Sequence, residues 1–221
     1  MKNPICVYDF ETDGKFAEIC QPVELACVMI DQYTLEIIPG SQFESMMKPE
    51  GIDSPEYFTD AVMETIGWHA RLRKCTNEEI IEKWKGAPNQ ETVWRLFSAH
   101  VDKYNRDGKQ FTAPHAGGMN IKLYDNIIAD RLNAKYKIGK MFNYESVDIR
   151  DLAFYWLVWD YSLPKRNMDA LREYFGMPPS EAHTAWADVS DSANLIMKFM
   201  KYHKALFKKD KFRNSMKCPA I

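Results

Sequence analysis

The segment "ICVYDFETDG", Ile5 to Gly14, constrains this chain most. Its apolar start reads as a buried strand, and it ends on two acids that flank a phenylalanine. Side chains alternate faces along a strand, so Asp9 and Glu11 point the same way and Phe10 points into the opposite core. Two carboxylates that close repel one another, and burying them unpaired is costly. They call for a cation or for hydrogen-bonded partners, and hard divalent ions such as Mg2+ or Mn2+ take oxygen ligands of this kind. The competing reading is a polar turn after a strand, with Asp and Gly chosen for turn chemistry.

Further along, "PVELACVMID" and "LEIIPGSQFESMMKP" read as two more strands, separated by breaks at Gly14, Asp31-Gln32 and Pro39-Gly40, which suggests an antiparallel meander. Helical patterns dominate from about Thr59. They include "FTDAVMETIGW", "NEEIIEKWKG" and "NQETVWRLFSAHVDKY", the last with Val93, Leu96, Phe97 and Val101 at helical spacing. "KQFTAPHAG" reads as a short strand, with His115 at its exit. "IKLYDNIIADRLNAKY" places Leu123, Ile127, Ile128 and Leu132 on one helical face, and "VDIRDLAFYWLVWD" and "NMDALREYFG" are further helices. A long last helix starts near Thr184, with a stripe of Trp186, Val189, Ala193, Ile196 and Met200. Strands first and helices interleaved with short strands afterwards argue for an α/β fold with a mixed sheet flanked by helices.

The 221 residues, 46% of them hydrophobic, suit one core, with a domain over residues 1–205 and a basic tail over 206–221. A formal charge of −2 gives no overall footprint of a nucleic-acid binder, so any such role must rest on a local site. Cys6, Cys20, Cys27, Cys75 and Cys218 have no disulfide-like or zinc-like spacing, which suggests a reducing, cytoplasmic setting. The N-terminus lacks a signal-peptide pattern and no apolar run is long enough to cross a bilayer, so no membrane association is expected.

Two more places carry acids in telling positions. Asp125 follows Tyr124 where a helix begins, and near the end of the domain His183 precedes a helix whose first turns hold Asp188. Each alone is an ordinary helix-end or loop residue. Taken together, acid-x-acid on a first strand, an acid after an aromatic in mid-chain and His-x4-Asp near the end resemble the DEDD (DnaQ-like) exonuclease superfamily in its histidine-bearing branch. The tyrosine branch would need Tyr where Thr184 stands. The resemblance runs to the bacterial exonuclease I type: "DFETDG" with Pro22 and Ala26, then Gly118, Asn120, Tyr124 and Asp125, then Ala182, His183, Ala185, Ala187, Asp188 and Val189. It spans roughly Ile5 to Met200. It departs in placing Asn120 five residues before Asp125, where most of the superfamily has four. The accessory domains that embrace DNA in exonuclease I have no counterpart here, so processivity on long strands is not expected.

The resemblance implies a ribonuclease H-like fold and a metal-dependent 3′→5′ exonuclease that converts single-stranded DNA to nucleoside 5′-monophosphates with two Mg2+ or Mn2+ ions. It makes Asp9 the bridging ligand, Glu11 and Asp188 ligands of the ion that activates water, Asp125 the ligand of the leaving-group ion and His183 the general base. Thr12 would touch the terminal nucleotide and Asn120 would orient a phosphate or a ligand. An exoribonuclease like ribonuclease T or oligoribonuclease, and a proofreading enzyme partnered with a polymerase, use the same residues. A nucleic-acid-binding module without turnover and a structural metal site are the readings from other classes. The six tryptophans are expected in the core, Tyr124 as packing. Trp68, His69, Arg71, Arg73 and Lys74 form one aromatic-basic cluster that could line a single-strand groove.

Overall fold

The computed structural model describes residues 3–158, 160–161, 163, 165–178 and 184–209. The long first strand, β1 (Ile5–Thr12), pairs antiparallel with β2 (Pro22–Asp31) along its whole length. Two short strands, β3 (Glu36–Ile37) and β4 (Phe43–Met46), both pair antiparallel with β2. The expected third strand of the meander is thus split in two at the Pro39-Gly40 turn, where Gly40 sits at φ 73°.

On its other edge β1 pairs parallel with β5 (His115–Gly118), which in turn pairs parallel with β6 (Ser146–Asp148). The sheet order is β3-β2-β1-β5-β6 with β4 beside β2, a mixed sheet as the sequence suggests. The β6 strand was hidden in a segment that reads as helix, because "SVD" runs directly into α5 (Ile149–Leu157) and only pairing with β5 defines it. His115 opens β5 instead of closing it; the residues before it, Gln110–Thr112, form a 3-10 turn.

Helices cover both faces. Even-numbered residues of β1 (Cys6, Tyr8, Phe10) face α3 (Gln90–Asp102) and α4 (Asp125–Tyr136), where Trp94, Phe97, Ile128 and Leu132 close one core. Odd-numbered residues (Ile5, Val7) face α7 (Ala185–Lys209), with α5 and α6 (Met168–Tyr174) completing the second core. A smaller cluster joins α1 (Asp60–Arg73) and α2 (Asn77–Gly86) to Val23 and Ile52. This layered plan is ribonuclease H-like.

Two expected stripes are rotated. Leu96 is exposed and Trp94 takes its place in the core, with the indole N–H donating to Asn133 Oδ1 at 3.0 Å. Leu123 is also exposed, because α4 begins only at Asp125 and Ile121 fills the core position. The last helix follows its stripe: Val189, Ala193 and Ile196 are fully buried. It runs through Lys209, so the expected basic tail over 206–221 starts inside it, and residues 210–221 lie outside the described residues. Among the described residues Cys6, Cys20, Cys27 and Cys75 are free thiols, and no helix is long and apolar enough to cross a membrane.

The approach of α7 to the sheet depends on Gly117. A Cβ there would stand 2.7 Å from Ile5 Cγ2 and 3.2 Å from Ile196 Cδ1. Overpacking of this kind costs about 1–3 kcal/mol. Gly117→Ala should therefore lower the urea midpoint at unchanged m-value; an unchanged midpoint would show that helix and sheet yield freely at this contact.

Candidate active site

β5 accompanies β1 only as far as Val7, which pairs with Gly117. Beyond that point the two strands part, and the chain leaves β5 through Asn120 toward α4. The N–H of Phe10, on the edge of β1 that β5 has vacated, donates instead to Asp125 Oδ1 at 3.0 Å. Asp125, in the first turn of α4, is almost fully buried. On the other face of β1, Asp9 and Glu11 continue the row of Ile5 and Val7 under the start of α7. Carboxylate oxygens of Asp9, Glu11 and Asp188 come within 4.8 Å of one another. All four acids line one open cavity of about 470 Å³ at the end of the sheet.

The electrostatics of this cluster are strained. Recession of Asp9 into the protein, then the charges of Asp125, Glu11 and Asp188, hold its carboxyl well above the usual range. Burial and the Asp188 and Glu24 charges push Glu11 up to about 8, with Arg73 pulling the other way. Burial raises Asp125 to about 7, although the backbone N–H groups of Phe10 and of Asp125 itself favour its ionised form. The site holds more negative charge than its surroundings neutralise, and its donors are hard oxygens: the arrangement fits divalent cations.

Two nearby arginines are committed to acids around the cluster. Arg172 on α6, itself buried, reaches Asp188 at 3.0 Å and also bonds Asp191 and Asp169, fixing the first turns of α7. Arg73 makes a two-pronged bond to Glu24, the cross-strand neighbour of Glu11, at 2.5 and 3.0 Å. Glu24 also accepts from the N–H of Ala185 at 3.4 Å. His69 lies buried beneath the strand end, with Nε2 3.0 Å from the Thr12 carbonyl and Nδ1 3.9 Å from Glu11.

The structure thus brings together Asp9, Glu11, Asp125 and Asp188. His183 lies outside the described residues. Thr12 is at the cavity, but its hydroxyl is used internally: it donates to the Gly14 carbonyl at 2.7 Å and lies 2.7 Å from the Tyr124 hydroxyl. Only its backbone can meet a ligand without breaking that bond. Asn120 lines the cavity with a left-handed backbone, φ 59°, and its side-chain oxygen accepts from Arg150 at 2.9 Å. Phe10 is core, edge-on to Tyr8. Tyr124 packs against the same core.

Of the aromatic-basic cluster on α1, Trp68 and Arg71 line the cavity, whereas His69 and Arg73 are turned beneath it. Trp68 is 40% exposed and so is not the core residue expected, unlike Trp84 and Trp94; Trp159 and the Trp156 side chain lie outside the description. Sequence reading missed Arg172 and Glu24. The signal for Arg172 was present, since it follows Leu171 on the side of α6 that faces the core.

No protein-family model and no curated protein sequence matches this chain. Solved structures do. Exonuclease I of E. coli in complex with a dT13 oligonucleotide superposes with a TM-score of 0.65 at 16% identity, over 94% of this chain and 43% of that one. A 3′-exonuclease described as recognising the 3′ end of the histone mRNA stem-loop gives 0.61 at 15% identity, over 91% and 83%. An exonuclease I from Methylocaldum szegediense gives 0.64 at 17%, over 92% and 43%. The chain shares the fold of these exonucleases. This chain spans less than half the length of the exonuclease I structures it matches.

The chain should show its charge imbalance in its stability. Folded-state values near 7 and 8 for Asp125 and Glu11 stand above unfolded values of about 4. The folded form therefore holds these protons more tightly, and the stability they contribute, complete below pH ~4, is lost as pH rises through 7 to 8. The metal-free protein should melt at lower temperature at pH 8.5 than at pH 6, and Mg2+ should raise the melting temperature more at pH 8.5. Asp9→Asn should raise the metal-free value at pH 8.5 and shrink the Mg2+ response. A Mg2+ shift of equal size at both pH values would contradict this account.

Proposed function

We propose that this chain is a metal-dependent 3′→5′ exonuclease acting on single-stranded DNA and releasing nucleoside 5′-monophosphates. One observation carries the reading: four carboxylates from three separate parts of the chain converge at the open end of the sheet, in a fold shared with 3′-exonucleases.

In this reading Asp9 would serve both of two Mg2+ or Mn2+ ions, Glu11 and Asp188 would hold one, and Asp125 would hold the other. When bound, such a pair lowers the pKa of an attacking water and stabilises the leaving 3′ oxygen of an in-line displacement. The chain's own residues do the rest. The Phe10 N–H and the first turn of α4 aim Asp125, and Arg172 aims Asp188. The Thr12 backbone and Asn120 meet the terminal nucleotide, and the exposed ring of Trp68 with Arg71 one turn on offers a stacking and cationic wall for its base and phosphate. His183 accepts the proton of the attacking water, a task suited to an imidazole titrating near pH ~6.5.

RNA is the second reading. The histone stem-loop 3′-exonuclease is matched over 83% of its own length, a better fit in size than exonuclease I. The catalytic residues are common to both substrates, and the 2′-hydroxyl is what a site must read to separate them. On long substrates a replication or repair partner, such as a polymerase, would supply grip. The free thiols fit a reducing, cytoplasmic setting.

The purified protein with Mg2+ should shorten 5′-labelled single-stranded DNA from its 3′ end, faster than matched duplex DNA or RNA, and Asp9→Asn should abolish this with the fold retained by circular dichroism. Full activity in excess chelator would sink the proposal.

His183→Ala should lower kcat by about 10²–10⁴-fold, the usual worth of a general base. It should also remove the fall in rate expected of the wild type below pH ~6.5. An unaltered pH profile in the variant would take His183 out of that role.

A further inference from the structure

Beside the acid-lined cavity, across the segment of residues 118–124, lies a second open cavity of about 500 Å³, and Asn120 lines both. Its cations, Lys122, Arg150 and Arg166, outnumber its acids, Asp148 and Asp151. Arg166 stands over the ring of Phe154, with the guanidinium 5.8 Å from the ring centroid, and Phe154 is 53% exposed. Arg150, on the first turn of α5, is exposed and holds the Asn120 side chain. Lys122 is paired with Asp151 at 2.5 Å, so the two arginines set the character of the wall. Tyr155, next to Phe154 at 5.9 Å between rings, is 76% exposed as well.

The wall between the two cavities is fixed in place. Buried Asp148, the N-cap of α5, accepts from the N–H groups of Asn120 at 3.1 Å, Lys122 at 3.3 Å and Arg150 at 2.9 Å. One carboxylate therefore locks the left-handed turn at Asn120 and the start of the arginine-bearing helix into a single unit.

We infer that this second cavity is a subsite for the single strand itself, holding nucleotides upstream of the last two, with a phosphate on the Arg150–Arg166 side and an unpaired base on Phe154. The inference rests on the exonuclease reading. A wall of four acids repels the polyanion whose end it must take, so a strand needs a cationic surface next to that wall. Planar guanidinium groups match phosphate oxygens, and an exposed ring beside an arginine is the combination on which unpaired bases stack. A base locked in a duplex could not present its face to Phe154, so the subsite selects single strands.

The test compares binding of a dye-labelled decathymidylate and a dye-labelled thymidine dinucleotide by fluorescence anisotropy in EDTA, for the wild type, Phe154→Leu and Arg166→Gln. Each variant should weaken decamer binding about tenfold, the scale of one lost stacking or charged contact, and dinucleotide binding by less than about twofold. Arg166→Gln should also reduce the slope of log K against log salt by about 0.7, one phosphate contact, and Phe154→Leu should leave it unchanged. Equal loss for both oligonucleotides, or no loss for either, in variants with wild-type melting temperature would overturn the subsite. Binding without metal does not require turnover, so hydrolysis of the decamer by the wild type in Mg2+ judges the exonuclease reading separately.

Discussion

The parting of β5 from β1 after Val7 is the constraint on which the rest of the structure depends. A parallel pair that continued to Thr12 would have used the N–H of Phe10 within the sheet. Because it stops, that N–H is available to Asp125, and the end of β1 becomes a platform reached from both faces. The fold tolerates the resulting crowd of acids because β1 is secured along its whole length on its other edge by β2, and by two cores above and below it. Repulsion among the carboxylates is thus opposed by packing elsewhere, and the protein keeps a cluster whose members are pushed toward neutrality in the absence of a counter-charge.

Three arginine-centred or aspartate-centred ties hold the acids in register without cancelling them. Arg172 joins α6 to Asp188, Arg73 joins α1 to Glu24 behind Glu11, and Asp148 joins α5 to the segment leading into α4. Each tie lies one residue removed from the cavity or on its far side. A cation set among the four carboxylates would compete with a divalent ion, whereas one behind the acids orients them and leaves their open faces negative. Burial raises the stakes of each tie, since removing one partner strands the other's charge in a poorly solvated place.

Much of this was legible in the sequence, and the reasons differ by residue. The alternation "ICVYDFET" places Asp9 and Glu11 on one face because the period of a strand is fixed at two. The helices read as "NEEIIEKWKG" and "NMDALREYFG" begin within a residue of Asn77 and Met168, where Thr76 and Asn167 accept from the helix N–H groups. The strand β6 was not legible, because three residues carry no periodicity and their pairing partner lies about thirty residues away. Leu96 and Leu123 were misplaced for a different reason. Helical spacing says which residues share a face, but Trp94 and Ile121, larger or better placed, decide which face turns inward. Trp68 shows the reverse error: an aromatic on a helix is expected in the core, and here α1 turns it to the cavity because Ile66, His69 and Ala70 already fill its buried side.

The two cavities also explain why net charge was a poor guide to partners. A chain at −2 overall gathers four acids at one cavity and two arginines, Arg150 and Arg166, at the next, across Asn120. Summed over the molecule these cancel. What a polyanion meets on approach is local, since surface charges more than about 10 Å away are screened at ordinary ionic strength. On the exonuclease reading, one face of the 118–124 segment would supply charge for the ions and the other charge for the strand, with the turn at Asn120 held between them.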